Sequence, residues 1–173
     1  MKRSTIIALM VCFTLADVVR AEDAMQILAS TGIHCGLVVH LGCVDGRLTA
    51  GFRASDAYLV HGLDTHPDDL AKSRKHIESL GLYGPVAVDR LVGTELPYAN
   101  NLVNLLVAEE SGDVSMEECL RVLAPGGVAY IQSEGRWQKS VKPRPAEIDE
   151  WTHRLHDAGG NPVARDTVVG PPQ

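Results

Sequence analysis

Leu37-Val38-Val39-His40-Leu41-Gly42-Cys43-Val44-Asp45-Gly46-Arg47-Leu48 decides the fold. Its first five residues form an apolar run with two valines, interrupted only by His40, and Gly42 follows at once. A short apolar run bounded by glycine reads as a buried strand that ends in a tight turn. Residues 47–54 then read as a short helix. Residues 58–63 repeat the pattern as a second apolar run, closed by Asp64.

The clearest helix follows. Thr65 or His66 can cap it, and Pro67 suits its first position. Asp68 and Asp69 sit where the helix dipole favours negative charge, with Lys72 four residues after Asp68 as an ordinary surface pairing. Leu70, Ile77 and Leu80 make the expected apolar stripe, and Gly81 ends it. Residues 85–88, 103–108 and 128–131 read as three further strands. Residues 97–101 form a turn-rich loop. Residues 116–123 form a helix stopped by Pro125-Gly126-Gly127. Upstream, residues 23–29 place Ala24, Ile27 and Leu28 on one helix face, with Gly32 as a stop.

Strands alternating with amphipathic helices mean an α/β domain with a doubly wound parallel sheet. The expected strand order is 3-2-1-4-5. Such sheets bind ligands beyond the carboxyl ends of their strands, beside the first strand, which is where the loop from Gly42 to Gly46 falls.

The chain has 173 residues, 16 Lys+Arg against 22 Asp+Glu, and a formal net charge of −6. That length suits one domain of ordinary size. Hydrophobic residues at 45% and charged residues at 22% are globular proportions, which excludes a disordered chain. The acidic balance argues against a nucleic-acid binder. With two Trp and two Phe, no large aromatic platform is expected.

Lys2 and Arg3, the apolar residues 6–16 and the small Ala21 before Glu22-Asp23 describe a signal peptide over residues 1–21. Export to the periplasm or the exterior is the expectation, with the domain over residues 22–137. The apolar run is too short for a membrane span, and no other stretch is apolar enough to make one. Three cysteines then remain. Cys35, Cys43 and Cys119 are expected to be buried apolar residues, although Cys35 and Cys43 could pair in an oxidising compartment. Residues 138–173 read as a linker and tail, basic and proline-rich over 139–146, with a short helix at 147–157. The tail reads as cut before its next element. His153, His156 and Asp157 have helical spacing but no fourth partner, so no metal is expected.

Residues 37–132 resemble the class I S-adenosylmethionine-dependent methyltransferases. The opening stretch resembles their first strand and glycine loop. Val60-His61-Gly62-Leu63-Asp64 resembles the second strand and its terminal acid. Leu96-Pro97-Tyr98-Ala99-Asn100-Asn101 with Leu102-Val103-Asn104-Leu105-Leu106-Val107 resembles the loop into the fourth strand. Cys119-Leu120-Arg121-Val122-Leu123-Ala124-Pro125-Gly126-Gly127 resembles the helix and turn before the fifth. The resemblance implies a Rossmann-like methyltransferase fold, shortened at its C-terminal end. It implies S-adenosylmethionine as a small-molecule cofactor held by His40, Gly42, Cys43, Gly46, Asp64 and Thr65. Asp64 would accept the ribose hydroxyls. As a plain helix cap near Pro67 it would need no ligand.

Three positions depart from the family pattern. His40 stands where an acid is usual, Val44 where the middle glycine is usual, and Asn104 where Asp is frequent. Asp45 could compensate for His40. No catalytic residue is implied, since the reaction needs mainly alignment. Glu109 and Glu110 fall at the mouth of the expected site. Glu147 to Asn161, with Val168-Val169-Gly170-Pro171-Pro172, resembles the junction to a quinoprotein-type β-propeller in exported bacterial proteins. Two functions follow from these resemblances. One is a methyltransferase with an unknown acceptor. The other is an exported, catalytically silent binding or scaffold module of a larger propeller-type protein. A dinucleotide dehydrogenase is disfavoured, because no Gly-x-Gly-x-x-Gly is present.

Overall fold

A computed structural model of the chain describes residues 23–109, 112–146 and 158–160. The expected signal peptide and the expected helix at 147–157 lie outside the described residues. Helical residues 23–31 (α1) lead into β1 (Gly36–Leu41), α2 (Arg47–Gly51), β2 (Tyr58–Asp64), α3 (Pro67–Ser79), β3 (Val86–Arg90), β4 (Val103–Ala108), α4 (Met116–Val122), β5 (Leu123–Ser133) and β6 (Arg136–Val141). The sheet order is β3-β2-β1-β4-β5-β6. The first five strands are parallel neighbours in the expected order.

Strand alternation sends successive side chains to opposite faces. Val38, Val60, Leu105, Val107 and Val128 pack with Ala24, Leu48 and Leu70 from α1, α2 and α3. Val39, Leu41, Leu63, Leu106 and Ile131 pack on the other face with Cys119 and Val122 of α4 and with Leu96. Burial on both faces explains why β1 and β4 read as near-continuous apolar runs.

On α3, Leu70, Ser73 and Ile77 are the buried residues. Leu80, expected on the apolar stripe, is half exposed at 50%, because it is the C-cap and the helix turns away there. Gly81 follows at φ 67°, donating to Glu78 O while Leu82 N–H donates to Ile77 O, the paired bonds of a Schellman stop.

The Pro125-Gly126-Gly127 turn lies within β5. Pairing with β4 jumps from Val103↔Leu123 to Leu105↔Val128, so residues 124–127 bulge out of the ladder. A Cβ at Gly127 would lie 2.8 Å from Ala124 O and 2.9 Å from Val103 O, so the bulge requires glycine there.

The sheet also extends past the expected boundary at residue 137. β6 pairs antiparallel with β5, from Ser133↔Arg136 to Val128↔Val141. Glu134 and Gly135, both at positive φ, form the two-residue turn. Gln138 to Val141, expected in the linker and tail, are therefore strand residues. The chain divides instead between Lys142 and Pro143. In the second unit the described residues, 143–146 and 158–160, contain neither helix nor strand.

The segment before β4 is held by α4. Ser115 Oγ caps that helix by accepting Glu118 N–H at 3.1 Å. Glu118 accepts Leu96 N–H at 2.6 Å and both Nε and Nη2 of Arg121 at 2.7 Å. Arg121 in turn donates to Leu96 O, Tyr98 O and Asn100 Oδ1. The Arg121 guanidinium holds the Glu118 carboxyl below its ordinary range, with the Leu96 N–H assisting. Glu118→Ala leaves Leu96 N–H and Arg121 short of an acceptor and is expected to cost about 1–2 kcal/mol in urea unfolding at pH 7. A depressed carboxylate stabilises the fold above its unfolded value, and that contribution is lost as pH falls through the folded value. The parent–variant gap should therefore close as pH falls below about 4.3.

Candidate functional site

A hollow of about 510 Å³ opens at the carboxyl ends of β1, β2 and β4. Its floor includes Leu41 and Gly42 after β1 and Leu63, Asp64 and Thr65 at the end of β2. Glu109 and Asp113 line it on the β4 side, and His66 and Asp69 on the α3 side. Its volume lies in the range of small-molecule sites.

Gly42 sits at φ 76°, and a Cβ built on it would meet no atom within 4 Å. The backbone conformation, not crowding, makes glycine the fitting residue, and the bare backbone faces open space. Asp64 is only 5% exposed. Its Oδ2 accepts Val44 N–H at 3.1 Å, and its Oδ1 accepts His66 N–H at 2.9 Å. Asp64 thus holds His66, the N-cap residue of α3, and ties the glycine loop to β2 while lining the hollow. The plain helix-cap reading does not hold, since the N-cap is His66 and no side chain caps α3.

The rest of the loop is held from α3. Ser73 Oγ lies 3.3 Å from Cys43 O and 3.2 Å from Val44 O, donating to these carbonyls. Gly46, at φ 78°, does not line the hollow. A Cβ there would lie 2.8 Å from Ser73 Cα, so its glycine permits close approach of loop and helix. Gly62 on β2, which the sequence reading passed over, has a similar part: a Cβ would lie 2.7 Å from Val88 Cγ1 and 3.1 Å from Cys43 Cβ.

The six residues expected at the cofactor divide into two groups. Gly42, Asp64 and Thr65 line the hollow; His40, Cys43 and Gly46 do not. His40 is 2% exposed, with Nδ1 2.8 Å from Thr49 Oγ1 and its ring edge-on to Phe52 at 5.6 Å between centroids. A carboxylate at position 40 would be buried there and not presented to a ligand. Cys43 is buried, and burial, helped by the Asp64 charge, pushes its thiol up to about 11. The thiol stays protonated and inert at neutral pH. Asp45 does not compensate for His40. It accepts Arg47 N–H and Arg47 Nη1, both at 3.0 Å, and lies outside the hollow. Asn104 accepts Leu37 N–H at the start of β1, at the opposite end of the strand from the hollow. Of the expected acidic pair after β4, Glu109 lines the hollow and Glu110 lies outside the described residues. Cys35, expected to be buried, is exposed, because it precedes β1. Cys35 and Cys43 are both free.

Val44 reaches the hollow under strain. It lines the cavity at φ 40° and is 51% exposed. A β-branched residue at positive φ is a genuine outlier. Asp64, His66 and Asp69 each bring a possible ligand atom within 4.8 Å of the others. Asp69 is already paired with Lys72 at 2.7 Å.

One further constellation went unread in the sequence. Tyr98 OH lies 2.8 Å from His61 Nδ1, and His61 Nε2 lies 3.1 Å from Asp89 Oδ2. Burial, with the Asp89 charge, raises the Tyr98 hydroxyl pKa. These three residues lie outside the hollow and pin the segment before β4 to β2 and β3.

Solved structures share this fold at low identity. A putative S-adenosyl-L-methionine-dependent methyltransferase from Methanococcus maripaludis is 21% identical, with TM-score 0.60, over 68% of this chain and 57% of its own. A SAM-dependent methyltransferase from Aquifex aeolicus is 20% identical, with TM-score 0.54, over 63% and 62%. A geranyl diphosphate methyltransferase in complex with SAM is 19% identical, with TM-score 0.57, over 64% and 48%. The chain thus spans 48% to 62% of the length of these three structures. No curated protein matches the sequence. A family model described as a methyltransferase domain matches residues 39–131, more than half of the chain, which with this strand order places the chain in the methyltransferase domain family.

Proposed function

We propose that the chain binds S-adenosylmethionine in the hollow at the ends of β1, β2 and β4 and serves methyl transfer to an acceptor. The observation that carries this reading is the buried Asp64 carboxylate beside the open backbone of Gly42, in a cavity whose other acids are Asp69, Glu109 and Asp113. The cofactor supplies an electrophilic methyl group on a sulfonium sulfur. An ionised carboxylate offers about four acceptor positions, so Asp64 keeps positions for the ribose hydroxyls after taking two backbone N–H groups. Hydrogen bonds to a charged acceptor are the stronger ones. The acids favour a ligand of net positive charge and oppose the pyrophosphate of a dinucleotide, which argues against the dehydrogenase reading. Thermal unfolding of the full chain tests this. S-adenosylhomocysteine at 1 mM should raise the midpoint, whereas the same concentration of NADH should not. A shift with NADH alone would overturn the assignment.

Val44 works against the ligand, since its side chain occupies the place where the family has glycine. Val44→Gly should tighten S-adenosylhomocysteine binding several-fold. It should also stabilise the fold by about 1 kcal/mol, as relief of roughly 1–3 kcal/mol of backbone strain exceeds the entropy that glycine adds to the unfolded chain. Equilibrium dialysis and urea unfolding read the two effects.

Export belongs to the same proposal, supported by Lys2, Arg3, the apolar residues 6–16 and Ala21. Peptide mapping of protein recovered outside the cytoplasm should find a new N-terminus at Glu22. The resemblance of residues 147–161 and 168–172 to a propeller junction supports a downstream β-propeller as partner. Sequencing the coding region beyond Gln173 tests it directly.

A further inference from the structure

Ser73 shares the buried face of α3 with Leu70 and Ile77 and is 0% exposed. A serine inside a helix usually turns to solvent or to a carbonyl of its own helix. This hydroxyl goes instead to a loop 29 and 30 residues earlier, where it donates to Val44 O at 3.2 Å and Cys43 O at 3.3 Å. Those two carbonyls belong to the peptide planes on either side of the Val44 Cα. One donor reaching both turns both planes toward α3. In a trans peptide the N–H points opposite to the C=O, so Val44 N–H is directed away from α3. There Asp64 Oδ2 accepts it at 3.1 Å. Gly46 N–H closes the turn on Cys43 O at 2.7 Å. Both backbone torsions of Val44 are thereby set from outside, as a β-branched residue at φ 40° requires.

We propose that Ser73 is the positioning residue of the cofactor site: its hydroxyl holds Val44 in the strained conformation that keeps the glycine loop fastened to Asp64. The proposal rests on the cofactor reading above. Ser73 does not line the hollow, so it acts through the loop and not by touching a ligand. Without its hydroxyl, Val44 relaxes toward negative φ and its N–H leaves Asp64. The loop conformation that admits the ligand then becomes a minor state, and the apparent affinity falls with the population of that state. In Val44→Gly the positive φ carries no strain. Nothing then drives the loop away, and the hydroxyl is no longer needed.

A double-mutant cycle on the full chain tests this, with one readout that needs no ligand. Amide hydrogen exchange at position 44, followed by NMR, reports the bond to Asp64. Ser73→Ala should speed that exchange at least about fivefold in the parent and less than about twofold in the Val44→Gly background. Calorimetry with S-adenosylhomocysteine should show the same split, with affinity about fivefold weaker in the parent and within about twofold in Val44→Gly. Equal losses in both backgrounds are what a merely structural serine gives and would overturn the proposal, as would unchanged exchange in Ser73→Ala. A Ser73→Ala chain that fails to fold should be rescued by Val44→Gly, and an unfolded double variant would also overturn it. The predicted exchange pattern without any S-adenosylhomocysteine binding would defeat the cofactor reading and leave the hold of Ser73 on Val44 standing. Binding of equal strength in the parent and Ser73→Ala would defeat the positioning role alone.

Discussion

Asp64→Asn is expected to weaken S-adenosylhomocysteine binding roughly hundredfold, about 2.7 kcal/mol. In the proposed cofactor site the buried Asp64 carboxylate at the end of β2 accepts the ribose hydroxyls, and hydrogen bonds to a charged group are each worth about 1.5–3 kcal/mol. The neutral amide also has one oxygen where two are used. Val44 N–H and His66 N–H cannot both keep their partner, so the glycine loop and the start of α3 loosen together. A stability loss of about 1–2 kcal/mol in urea should accompany the affinity loss. Affinity and stability are read separately, by calorimetry well below the unfolding midpoint and by denaturation without ligand. Unchanged affinity in a folded variant would mean that Asp64 serves only to hold Val44 and His66.

Gly46→Ala should cost stability most, about 2–4 kcal/mol. At φ 78° any Cβ is strained, and here it would also lie 2.8 Å from Ser73 Cα and 3.0 Å from Ser73 O. Those neighbours are backbone atoms of α3 and cannot rotate away, so strain and overpacking add. Gly42→Ala is the informative control. It carries a similar φ of 76° but meets no atom within 4 Å, so only the strain remains. A Gly46→Ala variant as stable as Gly42→Ala would refute the close approach of loop and helix.

The contrast between these two glycines shows what was legible in the sequence. Periodicity and glycine punctuation found β1, β2 and β4, whose two-sided burial produces unbroken apolar runs. The first five strands fell in the expected order. β6 was missed because Lys139 and Pro143 dominated the reading of its neighbourhood, although Ser133-Glu134-Gly135-Arg136 carries a tight-turn signal between Tyr130 and Trp137. The limits of the site reading were physical too. Motif spacing singled out Gly42 and Asp64, which do line the hollow, yet it could not separate a glycine facing a cavity from one facing a helix. Nor could it tell that His40 turns to Thr49 and Phe52, or that Asp45 turns to Arg47. The Glu118–Arg121 bonds and the Asp89–His61–Tyr98 chain join residues from different elements, so no local pattern announces them.

Isothermal titration of the full-length chain with S-adenosylhomocysteine tests the central claim most directly. The account predicts saturable heat at one ligand per chain, much reduced in Asp64→Asn and strengthened in Val44→Gly. Absence of heat at millimolar ligand from both the parent and Val44→Gly would contradict it.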